Sequence, residues 1–65
     1  MKILLNGKEV LTEACTILDL LNEVQISKEK IAVEIDAIVV PKSQFANFAI
    51  KENSKIEIIT FVGGG

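Results

Sequence analysis

Asn6-Gly7 stands between two short strand-like runs, Met1-Lys2-Ile3-Leu4-Leu5 and Lys8-Glu9-Val10-Leu11. Asn-Gly favours the positive φ angles of a type I′ turn, whose twist matches that of the strands it joins. The chain therefore begins as a tight antiparallel hairpin, with strands at about 2–5 and 8–11. A hairpin alone is marginal in water, so the remaining residues must supply more strands and a cover for one sheet face. The whole sequence has 65 residues. A domain of this size hides roughly 60% of its unfolded surface, so its core is thin and leaves little space for a buried catalytic pocket.

The cover is legible next. Thr12 to Cys15 crosses over from the hairpin, and Thr16 precedes Asp19 by three residues. That spacing approximates a capping box: the Thr16 hydroxyl accepts an orphan helix amide and Asp19 favours the positive helix end. Ile17, Leu20, Leu21 and Val24 recur at helical spacing, with Asp19, Asn22 and Glu23 on the other face. This predicts one amphipathic helix over about 17–24. Cys15 is expected to be a small, partly buried residue ahead of the cap.

Ile31, Val33 and Ile35 alternate with Ala32, Glu34 and Asp36, the pattern of a half-buried strand. Asp36-Ala37 makes a weaker turn than Asn-Gly, because alanine resists positive φ. Ile38-Val39-Val40 returns as a strand that Pro41 ends, since proline donates no ladder hydrogen bond. Ser43 to Phe48 suits one helical turn, with Phe45 and Phe48 inward. Glu52-Asn53-Ser54 is turn chemistry, and Lys55 to Thr60 is a last strand running into Phe61-Val62-Gly63-Gly64-Gly65. The order β-β-α-β-β-turn-β predicts an α+β roll, with the apolar first and last strands side by side in the middle of the sheet.

Composition narrows the function. Nine acidic residues against seven lysines and no arginine give a net charge of −2. There is no basic stripe, so no nucleic-acid partner is expected. The longest apolar run, Ala37 to Val40, is too short to cross a bilayer, so no membrane partner is expected either. No leader is visible after Met1. The single cysteine forbids an intramolecular disulfide and fits a reducing cytoplasm. Histidine is absent, which removes His-based acid–base chemistry, triads and metal sites. Cys15 has no activating partner in the sequence. Carboxylates two apart on one strand, such as Glu34 and Asp36, read as a solvated face. A free-standing enzyme is thus close to excluded.

The end of the chain carries the remaining chemistry. Three glycines, 63–65, follow the last strand. Lacking Cβ, they let backbone enter a narrow slot and come close to another protein's atoms. Extended, three residues reach roughly 10 Å. A carboxylate presented this way is a poor electrophile until adenylation makes it a mixed anhydride, which a sulfur nucleophile can convert to a thiocarboxylate. The bland alternative is a frayed terminus. On the last strand, Ile56 and Ile58 facing the helix would put Ile59 and Phe61 on the opposite face. Exposed apolar side chains beside a functional tail suggest a partner site, so Ile59, Phe61 and the adjoining Val62 are the candidate partner-binding residues. The competing reading has Ile59 and Phe61 covered by the 41–50 segment or packed locally.

Several stretches together resemble the ThiS family of ubiquitin-like sulfur carriers. They are Lys2-Ile3-Leu4-Leu5-Asn6-Gly7, Thr16-Ile17-Leu18-Asp19-Leu20-Leu21, Val39-Val40-Pro41-Lys42-Ser43-Gln44-Phe45, and Ile56 through Gly65. Many relatives have tryptophan where Phe45 stands, and only two terminal glycines. The resemblance implies a β-grasp domain over 1–62, with a mixed four- to five-stranded sheet, one main helix on one face, and a flexible glycine tail at 63–65. It also implies that a ThiF-like adenylyltransferase uses MgATP to activate Gly65, with Gly63 and Gly64 giving access. A persulfide donor then supplies sulfur, and a ThiG-like thiazole synthase takes it for thiamin. The protein would be a co-substrate without a catalytic residue, a bound metal or a cofactor of its own. A MoaD-like carrier subunit of molybdopterin synthase is the nearest alternative, followed by a ubiquitin-like tag or a passive binding module.

Overall fold

Among the described residues, five strands and one helix form in the order the sequence predicts. The computed structural model describes residues 1–61. Strand β1 (Lys2–Leu5) pairs antiparallel with β2 (Lys8–Leu11), Leu5 facing Lys8 across the turn. Asn6 at φ 51° and Gly7 at φ 84° supply the two positive angles that a type I′ turn requires. Helix α1 (Ile17–Glu23) follows, then β3 (Ile31–Ile35), β4 (Ile38–Val40), a 3₁₀ turn (Lys42–Gln44) and β5 (Lys55–Thr60). The sheet order is β2-β1-β5-β3-β4. The first and last strands are adjacent in the middle and run parallel, while β3 is antiparallel to both β4 and β5. This mixed sheet with a single crossing helix is the ubiquitin-like β-grasp fold.

The helix starts where its capping residues stand. The Thr16 hydroxyl accepts from the Asp19 N–H at 3.1 Å. In an ordinary capping box the carboxylate returns to the cap residue's own N–H. Here the Asp19 carboxylate accepts instead from Cys15, one residue earlier, at 3.4 Å. The helix ends at Glu23, and Val24 closes it by donating its N–H to the Leu20 carbonyl. Ile17, Leu20 and Leu21 are buried, and Leu18 and Val24 pack at the margin of the core. The crossover from β2 is tied to the helix end, because Thr12 donates its hydroxyl to the Glu23 carboxylate while accepting from the Ala14 N–H.

That crossover corrects one expectation. Cys15 is exposed. Thr12 and Ala14 take the inward positions at 4% and 5% exposure, so the alternation turns Cys15 outward.

The core lies between α1 and one face of the sheet. Ile3, Ile31, Val33, Ile35, Val40 and Ile56 come from the strands. Phe45, 2% exposed, closes it from the segment between β4 and β5. The helical turn there begins one residue earlier than predicted, at Lys42, directly after Pro41. Phe45 is buried and Phe48 packs against the core edge, the inward pair that the sequence suggests. The turn and helix also join through the backbone: Ile17 donates to Phe48 at 3.1 Å and Leu18 to Phe45 at 2.9 Å.

Two local findings sharpen the reading of β3. The Asp36-Ala37 turn forms with positive φ at both residues, 50° and 70°, so alanine accepts a conformation it disfavours. Asp36 belongs to this turn and not to a strand face shared with Glu34. Its N–H donates to the Lys55 carbonyl at 2.8 Å and its carboxylate accepts from the Lys55 N–H at 3.0 Å.

Candidate surface beside the glycine tail

Alternation along β5 decides which side chains face the core and which face solvent. Ile56 is fully buried beneath the helix, and Ile58 packs against the core margin. A strand's successive side chains point to opposite faces, so Glu57, Ile59 and Lys55 look away from the helix. The register with β3 holds without interruption from Ile35 opposite Ile56 to Ile31 opposite Thr60. Phe61 continues it by donating its N–H to the Lys30 carbonyl at 2.9 Å. Phe61 thus shares the outer face with Ile59. Their exposures are 66% and 44%, so the 41–50 segment does not cover them. The remaining candidates, Val62, Gly63, Gly64 and Gly65, and the proposed boundary between domain and tail lie outside the described residues.

The same face carries more apolar surface than the sequence reading assigned. Val39 sits opposite Glu34 in the β3–β4 ladder and is 63% exposed. Leu11 sits opposite Lys2 at the far edge and is 81% exposed. Ala32 lies opposite Ile59. The signal for Val39 and Leu11 was present: a two-residue turn fixes hairpin register, and register fixes the face of every later residue.

Polar groups on the described residues offer no catalytic constellation. No cluster of three or more His, Cys, Asp or Glu among them is placed to hold a metal ion. Cys15 is a free, exposed thiol whose Sγ lies 3.9 Å from the Glu13 carbonyl oxygen. The one ion pair among the described residues joins Lys2 and Glu9 at 3.8 Å, on exposed parts of β1 and β2. A surface pair of this kind contributes little to stability. A shallow groove of about 390 Å³ lies at the other side of β4, lined by Ile35, Ile38, Phe48 and Ala49 among others, and it does not include Ile59 or Phe61. No helix among the described residues is long and apolar enough to cross a membrane.

Comparison with known proteins gives these features a context. A thiazole synthase of Paramagnetospirillum magneticum is 39% identical over 66 residues, covering all of this chain. The chain spans only about a fifth, 20%, of that protein's length. A protein called ycf40 from Porphyra purpurea, itself uncharacterized, is 36% identical and is covered over 93% of its length. The crystal structure of the thiamine biosynthesis protein ThiS from Geobacter metallireducens superposes over all of both chains with a TM-score of 0.86 at 25% identity. Residues 3–65 match the ThiS family, a span that takes in the helix, the three terminal glycines and all of the strands but Lys2, the first residue of β1. The chain belongs to the ThiS family.

Proposed function

We propose that this protein is a sulfur carrier for thiamin thiazole formation, with the Gly65 carboxylate as the group that is loaded and unloaded. The observation that supports this most is the ThiS family match running through Gly65, together with the exposed apolar side chains of Ile59 in β5 and of Phe61 just after it. The domain serves as a handle, and the reacting atom belongs to the chain end.

In the first step, a ThiF-like adenylyltransferase joins the carboxylate to the α-phosphorus of MgATP, and pyrophosphate leaves. The acyl carbon now bears AMP, a good leaving group. The terminal sulfur of a persulfide donor attacks that carbon and AMP departs. A thiol then cleaves the S–S bond, leaving a thiocarboxylate on Gly65 and a disulfide on the donor side. A ThiG-like thiazole synthase takes the sulfur, and the carboxylate returns. The carrier is therefore a co-substrate in these steps, and it acts in the compartment of the two enzymes, the cytoplasm.

Steric access explains the glycines. An enzyme that adenylates a chain end must hold it in a narrow slot against ATP, where any Cβ would meet the slot walls. Resemblance to a relative called thiazole synthase over a fifth of its length also favours this pathway over the molybdopterin one, because it joins a segment like this chain to that activity in one polypeptide.

The test is an intact-mass measurement after incubation with a ThiF-like adenylyltransferase, MgATP and a sulfur donor. Exchange of one oxygen for one sulfur, localised to Gly65, supports the carrier reading. An unchanged mass with an enzyme active on its own carrier refutes it. Deleting Gly65 should abolish the exchange and leave the fold intact. Transfer of the loaded sulfur to a molybdopterin synthase in place of a thiazole synthase would move the protein to the other pathway.

A further inference from the structure

Both edges of the sheet are open among the described residues: no strand pairs with the outer side of β2 or of β4. The β4 edge is short, three residues closed by Pro41. The β2 edge is longer, and its ladder fixes which backbone groups it offers. Thr12 exchanges hydrogen bonds with Met1, its N–H donating to the Met1 carbonyl at 2.9 Å and its carbonyl accepting from the Met1 ammonium at 2.8 Å. In an antiparallel pair such exchanges recur at every second residue, so Lys8, Val10 and Thr12 turn their backbone groups toward β1. Glu9 and Leu11 turn theirs outward. The side chains alternate likewise. Val10 is opposite buried Ile3 and Thr12 is itself buried, so Lys8 lies with them on the helix side of the sheet, while Glu9 and Leu11 lie on the other. Beyond Thr12 the helix end presents Glu23, whose carboxylate accepts from the Thr12 hydroxyl and the Glu13 N–H. A groove of about 440 Å³ lies there, lined by Met1, Leu11, Thr12, Glu13 and Glu23. Its two carboxylates outnumber the one ammonium, and among the described residues neither Glu23 nor Lys8 has an ion pair.

We propose that the β2 edge pairs with the β2 edge of a second copy of this chain, antiparallel about a two-fold axis through Val10. Hydrogen bonding requires outward residues to face outward residues, which allows registers centred on Glu9, Val10 or Leu11. The first sets Glu9 against Glu9 and the last sets Glu9 against Glu13, like charges that oppose pairing. The register centred on Val10 avoids both. In it the Glu9 N–H donates to the Leu11 carbonyl of the second copy, the Glu9 carbonyl accepts from that residue's N–H, and symmetry repeats both bonds. Val10 meets Val10. Leu11, 81% exposed, falls opposite Glu9 of the second copy, over a shallow groove lined by that residue and Lys2. Lys8 falls opposite Thr12 of the second copy and enters the groove that holds Glu13 and Glu23. Charge complementarity thus identifies the occupant: one edge carries both the cation and the acidic groove that receives it, at positions the two-fold axis brings together. Lysine on an edge strand ordinarily blocks pairing with other strands, and here it selects one. The edge also lies away from the tail. Leu11 is level with Lys2, whereas β5 is level with Leu4 and Leu5 at its start and runs on past them toward Phe61. The dimer leaves the surroundings of Phe61 open and does not depend on the carrier reading.

The test is sedimentation equilibrium of the full chain, with wild type, Lys8→Glu and Glu23→Lys. A short edge gives a small interface, so the wild-type dimer should be weak, with a Kd of roughly 0.1 mM, and the loading concentrations should run from about 10 µM to about 1 mM. Lys8→Glu and Glu23→Lys each bring like charges together at both ends of the interface and should raise Kd by about tenfold or more. Mixed in equal amounts, the two variants restore both opposite-charge pairs, and a heterodimer with a Kd within about threefold of wild type should form. Glu23→Lys loses the hydrogen bond from Thr12. If its thermal midpoint shows it unfolded, Glu13→Lys, exposed on the same groove, takes its place in the mixture. Amide exchange localises the contact: the Glu9 and Leu11 N–H groups of wild type should exchange more slowly as concentration rises, and that of Val39 on the other edge should not. A monomer at every concentration overturns the proposal. So does a dimer whose Kd is unchanged by Lys8→Glu, which would assign the contact to another surface.

Discussion

The side chain of Asn6 takes the place of a strand: its Oδ1 accepts the Ile58 N–H at 2.8 Å. The Asn6 N–H itself donates to the Ile56 carbonyl at 2.8 Å, continuing the parallel ladder between β1 and β5. In an uninterrupted ladder Ile58 would next donate to the Asn6 main-chain carbonyl. The chain has by then entered the turn, so the side-chain oxygen substitutes. One residue thus reverses the chain and extends the pairing of β5 toward Ile59 and Phe61, the part of the strand that leads to the tail.

This dual role predicts a graded series at position 6. Asn6→Gly keeps the positive φ and loses only the Ile58 hydrogen bond, which should cost about 1 kcal/mol. Asn6→Ala also forces a Cβ into the left-handed region and should cost about 2 kcal/mol or more. Asn6→Asp keeps an acceptor and should be the mildest of the three. Urea denaturation measures the order. If alanine and glycine are equally tolerated, the turn conformation is not the constraint proposed.

The second turn carries the opposite opportunity. Ala37 stands at φ 70°, where an L-residue with Cβ costs about 1–2 kcal/mol. Glycine removes that strain but loses about 0.4–1 kcal/mol through the greater freedom of its unfolded chain. Ala37→Gly should therefore stabilise the domain by about 0.5–1 kcal/mol, read as a higher urea midpoint at an unchanged slope. Loss of stability would mean that the Ala37 methyl makes a contact worth more than the strain.

These two turns show what the sequence makes legible and what it hides. Asn6-Gly7 is a strong local signal, and Thr16 with Asp19 marks a helix start within one turn. Both are decided by residues adjacent in the chain, and both form as read. The outer position of Ile59 and Phe61 followed from simple alternation. The Ile58–Asn6 hydrogen bond and the Glu34–Glu57 pairing could not be read, because each depends on register between strands far apart in sequence. Ala37 was a weak turn signal because its conformation is imposed by the strands it joins and by the reciprocal hydrogen bonds between Asp36 and Lys55. Cys15 was misplaced because no residue type in the crossover marks which positions turn inward; the burial of Thr12 and Ala14 decides it.

Phe45 tests how thin the core is. At 0.05–0.15 kcal/mol per residue, a domain of this length has about 3–10 kcal/mol of stability. Phe45 is 2% exposed and the only large aromatic side chain fully inside the core among the described residues. Phe45→Ala removes its burial and leaves a cavity, for about 3–5 kcal/mol. The variant should be largely unfolded or close to it at 37 °C by circular dichroism. Sulfur loading should fall with the fold although Gly65 is untouched, because the handle and the tail act together.

Phe61 tests the opposite case, a large apolar side chain that the isolated domain does not need. It is 66% exposed, and the hydrogen bond that fixes it, to the Lys30 carbonyl, comes from its backbone. Any residue except proline can make that bond. Phe61→Asp and Phe61→Ala should therefore change stability by no more than about 0.5 kcal/mol. Binding to the adenylyltransferase should weaken by about ten- to a hundredfold, as expected when an aromatic anchor is lost from an interface. The alanine variant matters because it removes apolar area without adding a charge near Glu57. If both variants bind weakly, the loss belongs to the aromatic ring. If only the aspartate variant does, electrostatic repulsion explains it and Phe61 is a bystander. Unchanged affinity in both titrations would remove Phe61 from the interface and shift the search to Val62 and the glycines themselves.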